Sequence, residues 1–317
     1  MKNIFLAIAF LYPAIAFGAS DNKIDLSGSW QFGYGEKPVF NDNITLPGSM
    51  LTNGKGRDVD TDTKWTGSLY DMSYYYSDLY KPYREPGNIK FPFFLTPDKE
   101  FVGNAYYKKK VKIPADWKGR RVILHLERPH IETTLKVNGE EVGHQMSLST
   151  PHEYDISKYI NPDKNNEIEL TVYNGIENVC VGQDSHSVTD QTQGNWNGIT
   201  GDIYLKATPK DAFIKNVRVF PDVKNRRAEI KVIKGGNAKK INKVNAQVVS
   251  DDGSEVFNLR NWTLSGDTLT FTVDFGDRMK TWDEFSTPLY NVTVKFGDDT
   301  ATTSFGMRDI SVSERDI

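Results

Sequence analysis

Apolar and polar residues alternate with a period of two along most of this chain. The pattern runs through Tyr106-Tyr107-Lys108-Lys109-Lys110-Val111-Lys112-Ile113 and Val122-Ile123-Leu124-His125-Leu126. It returns in Leu135-Lys136-Val137, Ile168-Glu169-Leu170-Thr171-Val172 and Ile203-Tyr204-Leu205. Successive side chains of a strand point to opposite faces, so each of these runs predicts a strand with one face turned inward. Turn formers stand between them: Ile113-Pro114, Trp117-Lys118-Gly119, Asn161-Pro162-Asp163 and Val137-Asn138-Gly139-Glu140. The last predicts a tight hairpin, because Asn-Gly accepts the two positive φ angles of a type I′ turn. No stretch keeps apolar spacing at i, i+3, i+4 and i+7 long enough for a substantial helix. Many short strands with regular turns predict an all-β fold, a sandwich or jelly roll.

A break falls near Ala207-Thr208-Pro209, and a second strand series follows over residues 213–220, 228–233, 244–249, 269–275, 290–296 and 301–305. Six or seven short strands in roughly 100 residues fit an immunoglobulin-like β-sandwich. Gly235-Gly236-Asn237 reads as a loop tip and not a phosphate loop, since no helix follows it. Residues 51–103 differ from both series. They pass from the polar Asp58-Val59-Asp60-Thr61-Asp62-Thr63-Lys64-Trp65 to Tyr74-Tyr75-Tyr76, Tyr80 and Tyr83, then to Phe91-Pro92-Phe93-Phe94. Disordered segments are poor in aromatics, so this long loop is expected to pack, either along a cleft or, preferably, on the sandwich edge or a catalytic barrel.

Composition narrows the function classes. The 317 residues carry a formal net charge of -3 and are 38% hydrophobic, which suits two soluble domains and gives no push toward nucleic acid or an anionic membrane. Residues 1–19 read as a signal peptide, with Lys2 as the positive start, an apolar run over 4–15 and small residues at Ala16, Gly18 and Ala19. The run is too short to span a bilayer, so the expectation is export to a periplasmic or extracellular compartment without a membrane span. Cys180 is the only cysteine, which excludes an internal disulfide and a lipid-modified cysteine just after the signal.

Four segments, in order, then carry a resemblance. They are Leu26-Ser27-Gly28-Ser29-Trp30-Gln31-Phe32 with Leu46-Pro47-Gly48-Ser49-Met50, and Ala105-Tyr106-Tyr107-Lys108-Lys109-Lys110-Val111 leading to Leu126-Glu127-Arg128. Next come Val137-Asn138-Gly139 with Ser147-Leu148-Ser149-Thr150-Pro151-His152-Glu153-Tyr154-Asp155-Ile156. The last is the run from Ser185-His186-Ser187-Val188-Thr189-Asp190 through Gln193-Gly194-Asn195-Trp196-Asn197-Gly198-Ile199. This series resembles the sugar-binding jelly roll of family 2 glycoside hydrolases, of the β-galactosidase-like kind. The strand ending Ser304-Phe305-Gly306-Met307-Arg308-Asp309-Ile310 resembles the passage from that family's accessory β-domains into its catalytic barrel. The resemblance implies residues 20–208 as a galactose-binding-like jelly roll, 209–312 as an immunoglobulin-like sandwich and 313–317 as a tail. The family's retaining chemistry uses two Glu about 5 Å apart at the ends of barrel strands, and a barrel needs on the order of 250 residues. No carboxylate here sits in such a context, so no catalytic residue is assigned; the resemblance leaves open a catalytic barrel domain supplied in trans or one that is lost.

Within the last segment, His186, Asp190, Asn195, Trp196 and Asn197 are the candidate sugar-binding residues. Each sugar hydroxyl both donates and accepts, so amides and carboxylates in fixed directions read its stereochemistry, and a Trp face can cover the apolar side of a pyranose. The competing expectation is that Asn and Asp satisfy the loop's own backbone while Trp196 plugs the sandwich end. His152, Glu153, Arg128, His130 and Glu132 read as structural, the last three as a polar network beneath the Ser147–His152 turn. No His or Cys pair has zinc spacing. Some members of the resembled family hold a cation near this loop, where Asp184 or Asp190 would serve; otherwise neither metal nor cofactor is expected. The sequence therefore leaves two readings: the carbohydrate-binding accessory portion of a glycosidase, or a stand-alone exported carbohydrate-binding module.

Overall fold

The computed structural model describes residues 22–67, 72–91, 95–236 and 244–312. The proposed signal peptide, the 313–317 tail, and Phe93, Phe94 and Asn237 lie outside them. The chain is all-β, and its alternation becomes two-faced strands. Along Asn165–Tyr173 every second side chain, Asn166, Ile168, Leu170 and Val172, is buried. Burying each such aliphatic stabilises the fold by about 1.5–3 kcal/mol.

That strand lies inside a six-stranded antiparallel sheet, ordered Glu140–Met146, Glu132–Val137, Asn165–Tyr173, Asn104–Lys112, Gly28–Tyr34 and Asp42–Leu46. A four-stranded sheet of Lys23–Asp25, Ile203–Thr208, Arg121–Leu126 and His152–Asp155 faces it. One core fills the space between them, with Trp30, Phe32, Tyr107, Trp117, Leu124, Leu170 and Leu205 fully or almost fully buried. The Asn138-Gly139 hairpin forms as predicted, with φ of 52° and 85° joining strands Glu132–Val137 and Glu140–Met146.

A short three-stranded sheet closes the rim. Its middle strand Gly198–Ile199 lies between Gly48–Ser49 and Pro129–His130. Gly198 has φ of 149°, and a Cβ there would stand 2.4 Å from the Gly48 carbonyl oxygen. Only glycine lets the backbones come this close, and this approach fixes the residues just before it.

The second sandwich packs two four-stranded sheets around Ile230, Val248, Phe271, Phe275, Tyr290 and Val292. The expected strands are present. Two more, Val256–Leu259 and Trp262–Ser265, were not foreseen. Asp299, 3% exposed, ties two strands of the second sandwich, Phe213–Asp222 and its own Asp299–Phe305. Its carboxylate accepts the Ile214 and Thr300 N–H groups at 2.7 and 2.9 Å and lies 3.9 Å from the Lys206 ammonium. Asp299→Ala leaves those two amides unpaired and is expected to cost about 2–4 kcal/mol in chemical denaturation. A loss under half a kcal/mol would mean that the two amides find other partners.

The long loop packs on itself and is tied to the rim of the first sandwich through Thr66 and Leu95. Tyr75 and Phe91 stack at 4.5 Å as a small core of their own, bordered by Trp65, Met72, Tyr80 and Ile89. The strand pair Arg57–Asp58 and Lys99–Glu100 pins its two ends, with Arg57–Glu100 and Lys99–Asp58 ion pairs at 3.0 and 2.5 Å.

Candidate functional site

Residues 184–197 cross the rim as a chain of tight turns. The Val188 and Thr189 amides donate to the Ser185 carbonyl, and those of Thr192 and Gln193 donate to the Thr189 carbonyl. Val188 and Thr189 point inward and are buried, while Asp184 and His186 are exposed. The Thr192 hydroxyl ties the His186 carbonyl at 3.0 Å. His186 is thus held at the backbone with its imidazole toward solvent.

Asp190 is 5% exposed and organises the neighbourhood. One carboxylate oxygen accepts the Thr66 amide at 2.6 Å, the other the Asn195 amide at 2.5 Å, and its carbonyl accepts the Leu95 amide at 2.8 Å. Three segments far apart in sequence meet on this one residue. Burial raises the nearby Glu100 carboxyl, with Arg57 working against it and the Asp190 and Asp60 charges adding to it. Among the described residues no group of three or more His, Cys, Asp and Glu is arranged to hold a metal.

Asn195 continues the network. Its amide donates to the Asn174 carbonyl at 2.9 Å and to the Thr66 hydroxyl at 3.3 Å, and its oxygen accepts from Asn174 at 3.2 Å. Asn197 is 1% exposed. Its oxygen accepts the Tyr107 hydroxyl at 2.8 Å, and its amide donates to the carbonyls of Val172 at 2.9 Å and Gly103 at 3.3 Å. Burial pushes the Tyr107 phenol far above its usual range, so it stays a donor. Asn197, expected among the sugar contacts, is enclosed and bonds the backbone from inside.

Trp196 lies half-buried, stacked on His130 with centroids 4.4 Å apart and planes 16° from parallel. Burial lowers the His130 pKa to about 4, opposed by its hydrogen bond with Asn195. The neutral imidazole is a flat base for the indole.

The structural residues of the sequence reading are placed differently from one another. The Ser147 hydroxyl accepts from the Ser149 and Thr150 amides and so closes the turn. His152, 1% exposed, pairs its Nδ1 with the Thr133 hydroxyl at 2.6 Å. Glu132 binds His144 and Asn178 at 3.0 and 2.9 Å. Arg128 is exposed, with φ of 52°, so it does not share an internal network with His130 and Glu132. Sequence reasoning missed Asn174, Tyr107 and Thr66 as parts of the site. Asn174-Gly175, directly after a strong strand, was the available sign of a turn asparagine; nothing marked Thr66.

Comparison with known proteins gives a consistent picture. Residues 24–209 match the pattern of "Glycosyl hydrolases family 2, sugar binding domain". A β-galactosidase large subunit of Leuconostoc lactis is 23% identical over 91% of this chain and 47% of its own length. A β-galactosidase of Thermoanaerobacter pseudethanolicus is 28% identical over 66% of this chain and 28% of its own. The chain thus spans about half the length, or less, of these relatives. Among solved structures, a β-glucuronidase of Ruminococcus gnavus superposes with a TM-score of 0.60 at 14% identity, over 93% of this chain and 47% of that one. A β-D-glucuronidase of Dictyoglomus thermophilum gives 0.56 at 20% identity, over 93% and 45%. At such identities the structural likeness speaks for the fold alone.

Proposed function

This chain belongs to glycosyl hydrolase family 2, and from that premise we propose that it is the carbohydrate-binding accessory portion of a β-galactosidase-like glycosidase. Residues 20–208 would be the sugar-binding unit and 209–312 its immunoglobulin-like companion. The observation that carries the reading is the 184–197 loop. Its buried polar groups hold the backbone rigid at the rim, while His186 and Trp196 remain accessible. Preorganised polar and aromatic groups at a rim suit a monosaccharide, because little ordering is left to oppose binding.

In this reading Asp190, Asn195 and Asn197 act by holding the loop, and the sugar is met by His186 and the free part of the Trp196 ring. The acid/base and nucleophile Glu pair belongs to a catalytic barrel with which this unit works, supplied in trans where the two are separate chains. Export by the segment 1–19 is part of the same proposal, and the described residues include no helix long and apolar enough to cross a membrane.

The chain by itself is expected to leave p-nitrophenyl β-D-galactoside unhydrolysed above solvent background. It should still bind galactose weakly in titration calorimetry. His186→Ala removes an exposed side chain and is expected to weaken that binding about 3- to 10-fold, the worth of one hydrogen bond, with the melting temperature unchanged. Turnover at ordinary glycosidase rates would overturn the accessory role, and galactose affinity indifferent to His186→Ala would overturn the site.

A further inference from the structure

We propose that the tyrosine-rich segment carries a second saccharide site, a groove that takes further pyranose units of an oligosaccharide whose terminal sugar lies at the 184–197 loop. The groove has a volume of about 740 Å³ and is walled by Leu79, Tyr80, Tyr83, Lys90, Leu95 and Thr96, with Phe91 also lining it. That volume lies within the range of small-ligand clefts.

Its walls are rigid before any ligand arrives. Tyr80 and Tyr83 sit on the 3-10 segment Asp78–Arg84, and their rings are 5.9 Å apart. Arg84 reaches back to the carbonyls of Tyr75 and Ser77, the Asn88 amide holds the Pro82 carbonyl at 2.7 Å, and the Lys90 N–H holds that of Tyr83 at 3.0 Å. Below, Tyr75 packs on Phe91 as the segment's own core. Aromatic residues fixed this firmly lose little entropy on binding, which is what a weakly held neutral sugar requires.

Chemistry selects the occupant. Tyr83 is 39% and Leu79 72% exposed, so the groove offers apolar surface for the C–H faces of pyranose rings. Phenolic hydroxyls and the Thr96 side chain intersperse that surface with donors and acceptors, and Lys90 is the one charged residue among the described lining residues. The Tyr74 and Tyr80 hydroxyls touch at 2.5 Å, a polar pair beside the groove. An uncharged oligosaccharide matches this mixed surface, with C–H faces on the aromatic rings and hydroxyls beside the phenols. Position agrees: Leu95 lines the groove, and its amide is bonded to the carbonyl of Asp190, the residue that anchors the rim loop.

The inference rests on the sugar-binding reading above but fails separately from it. Galactose and the β-linked tetrasaccharides of galactose, glucose and mannose would each be titrated into the full chain. At least one tetrasaccharide is expected to bind about tenfold more tightly than galactose. Tyr83→Ala and Leu79→Ala, both at exposed positions, should remove that gain and leave galactose binding and the melting temperature as they were. Tetrasaccharides no tighter than galactose, or a gain that survives both substitutions, would overturn the groove while leaving the rim site standing. A concentration-dependent self-association abolished by Tyr83→Ala in sedimentation would also overturn it, by making this a protein-packing face.

Discussion

Replacing Asn197 by alanine is expected to destabilise the first sandwich by about 3–4 kcal/mol, lowering its melting temperature by roughly 10 °C. The side chain is buried against Tyr107, Val172 and Gly103. Its loss strands a phenolic donor and two backbone carbonyls without water to replace their partner, and each such group costs about 1–3 kcal/mol, less than additively. Tyr107→Phe removes one bond of the same set and should cost nearer 1 kcal/mol. Because Asn197 lies directly before the Gly198–Ile199 rim strand, the alanine variant should also raise amide exchange across residues 190–196. Thermal melts and hydrogen exchange read both effects. A variant within half a kcal/mol of the parent would mean that the network does not hold the loop.

Acid is expected to weaken this sandwich well above the usual carboxylate range. His130 and His152 are both buried, and burial lowers each pKa from 6.5 to about 4. For His152 the neighbouring His144 adds to the effect, and for His130 the Asn195 bond subtracts from it. The folded-state values lie below the unfolded ones, so the unfolded chain binds more protons as pH falls. Stability is therefore full above about pH 6.5 and is lost progressively down to about pH 4. At about 1.4 kcal/mol per unit, each histidine contributes on the order of 3 kcal/mol to that loss. By pH 5 the two together remove about 4 kcal/mol, a large part of a net stability of roughly 5–15 kcal/mol. Melting temperatures at pH 7.5, 6 and 5 should fall steeply, and His152→Asn should flatten the curve. A flat profile would mean that both imidazoles are hydrated and titrate normally. Since Trp196 rests on the neutral His130 ring, galactose affinity should decline over the same interval.

The strands with strong alternation were legible in sequence because burial alone writes that pattern. The two missed strands show the converse. Val256–Leu259 and Trp262–Ser265 are sheet edges whose side chains are mostly exposed, so nothing forced an apolar period on them. The aromatic loop was legible as a packed segment but not as its own core, since the Tyr75–Phe91 stack joins residues that no local period connects.

The candidate site divides in the same way. Residue types and their order, from His186 to Asn197, marked a polar rim loop of a family 2 sugar-binding unit, because turn chemistry and motif order are local properties of the chain. The sequence could not separate the residues that hold the loop from those that face outward. Asp190 and Asn197 look as available as His186 when read in a line, yet two backbone amides claim one and Tyr107, 90 positions away, claims the other. Which polar group is spent inside and which is left for a ligand depends on partners brought close only by the sheets. Hydrogen bonding falls off within a few tenths of an ångström, and sequence spacing does not carry that information. The sequence by itself determined the fold class and the chemistry of the rim; the tertiary structure alone decided which side chains of that rim are free to use it.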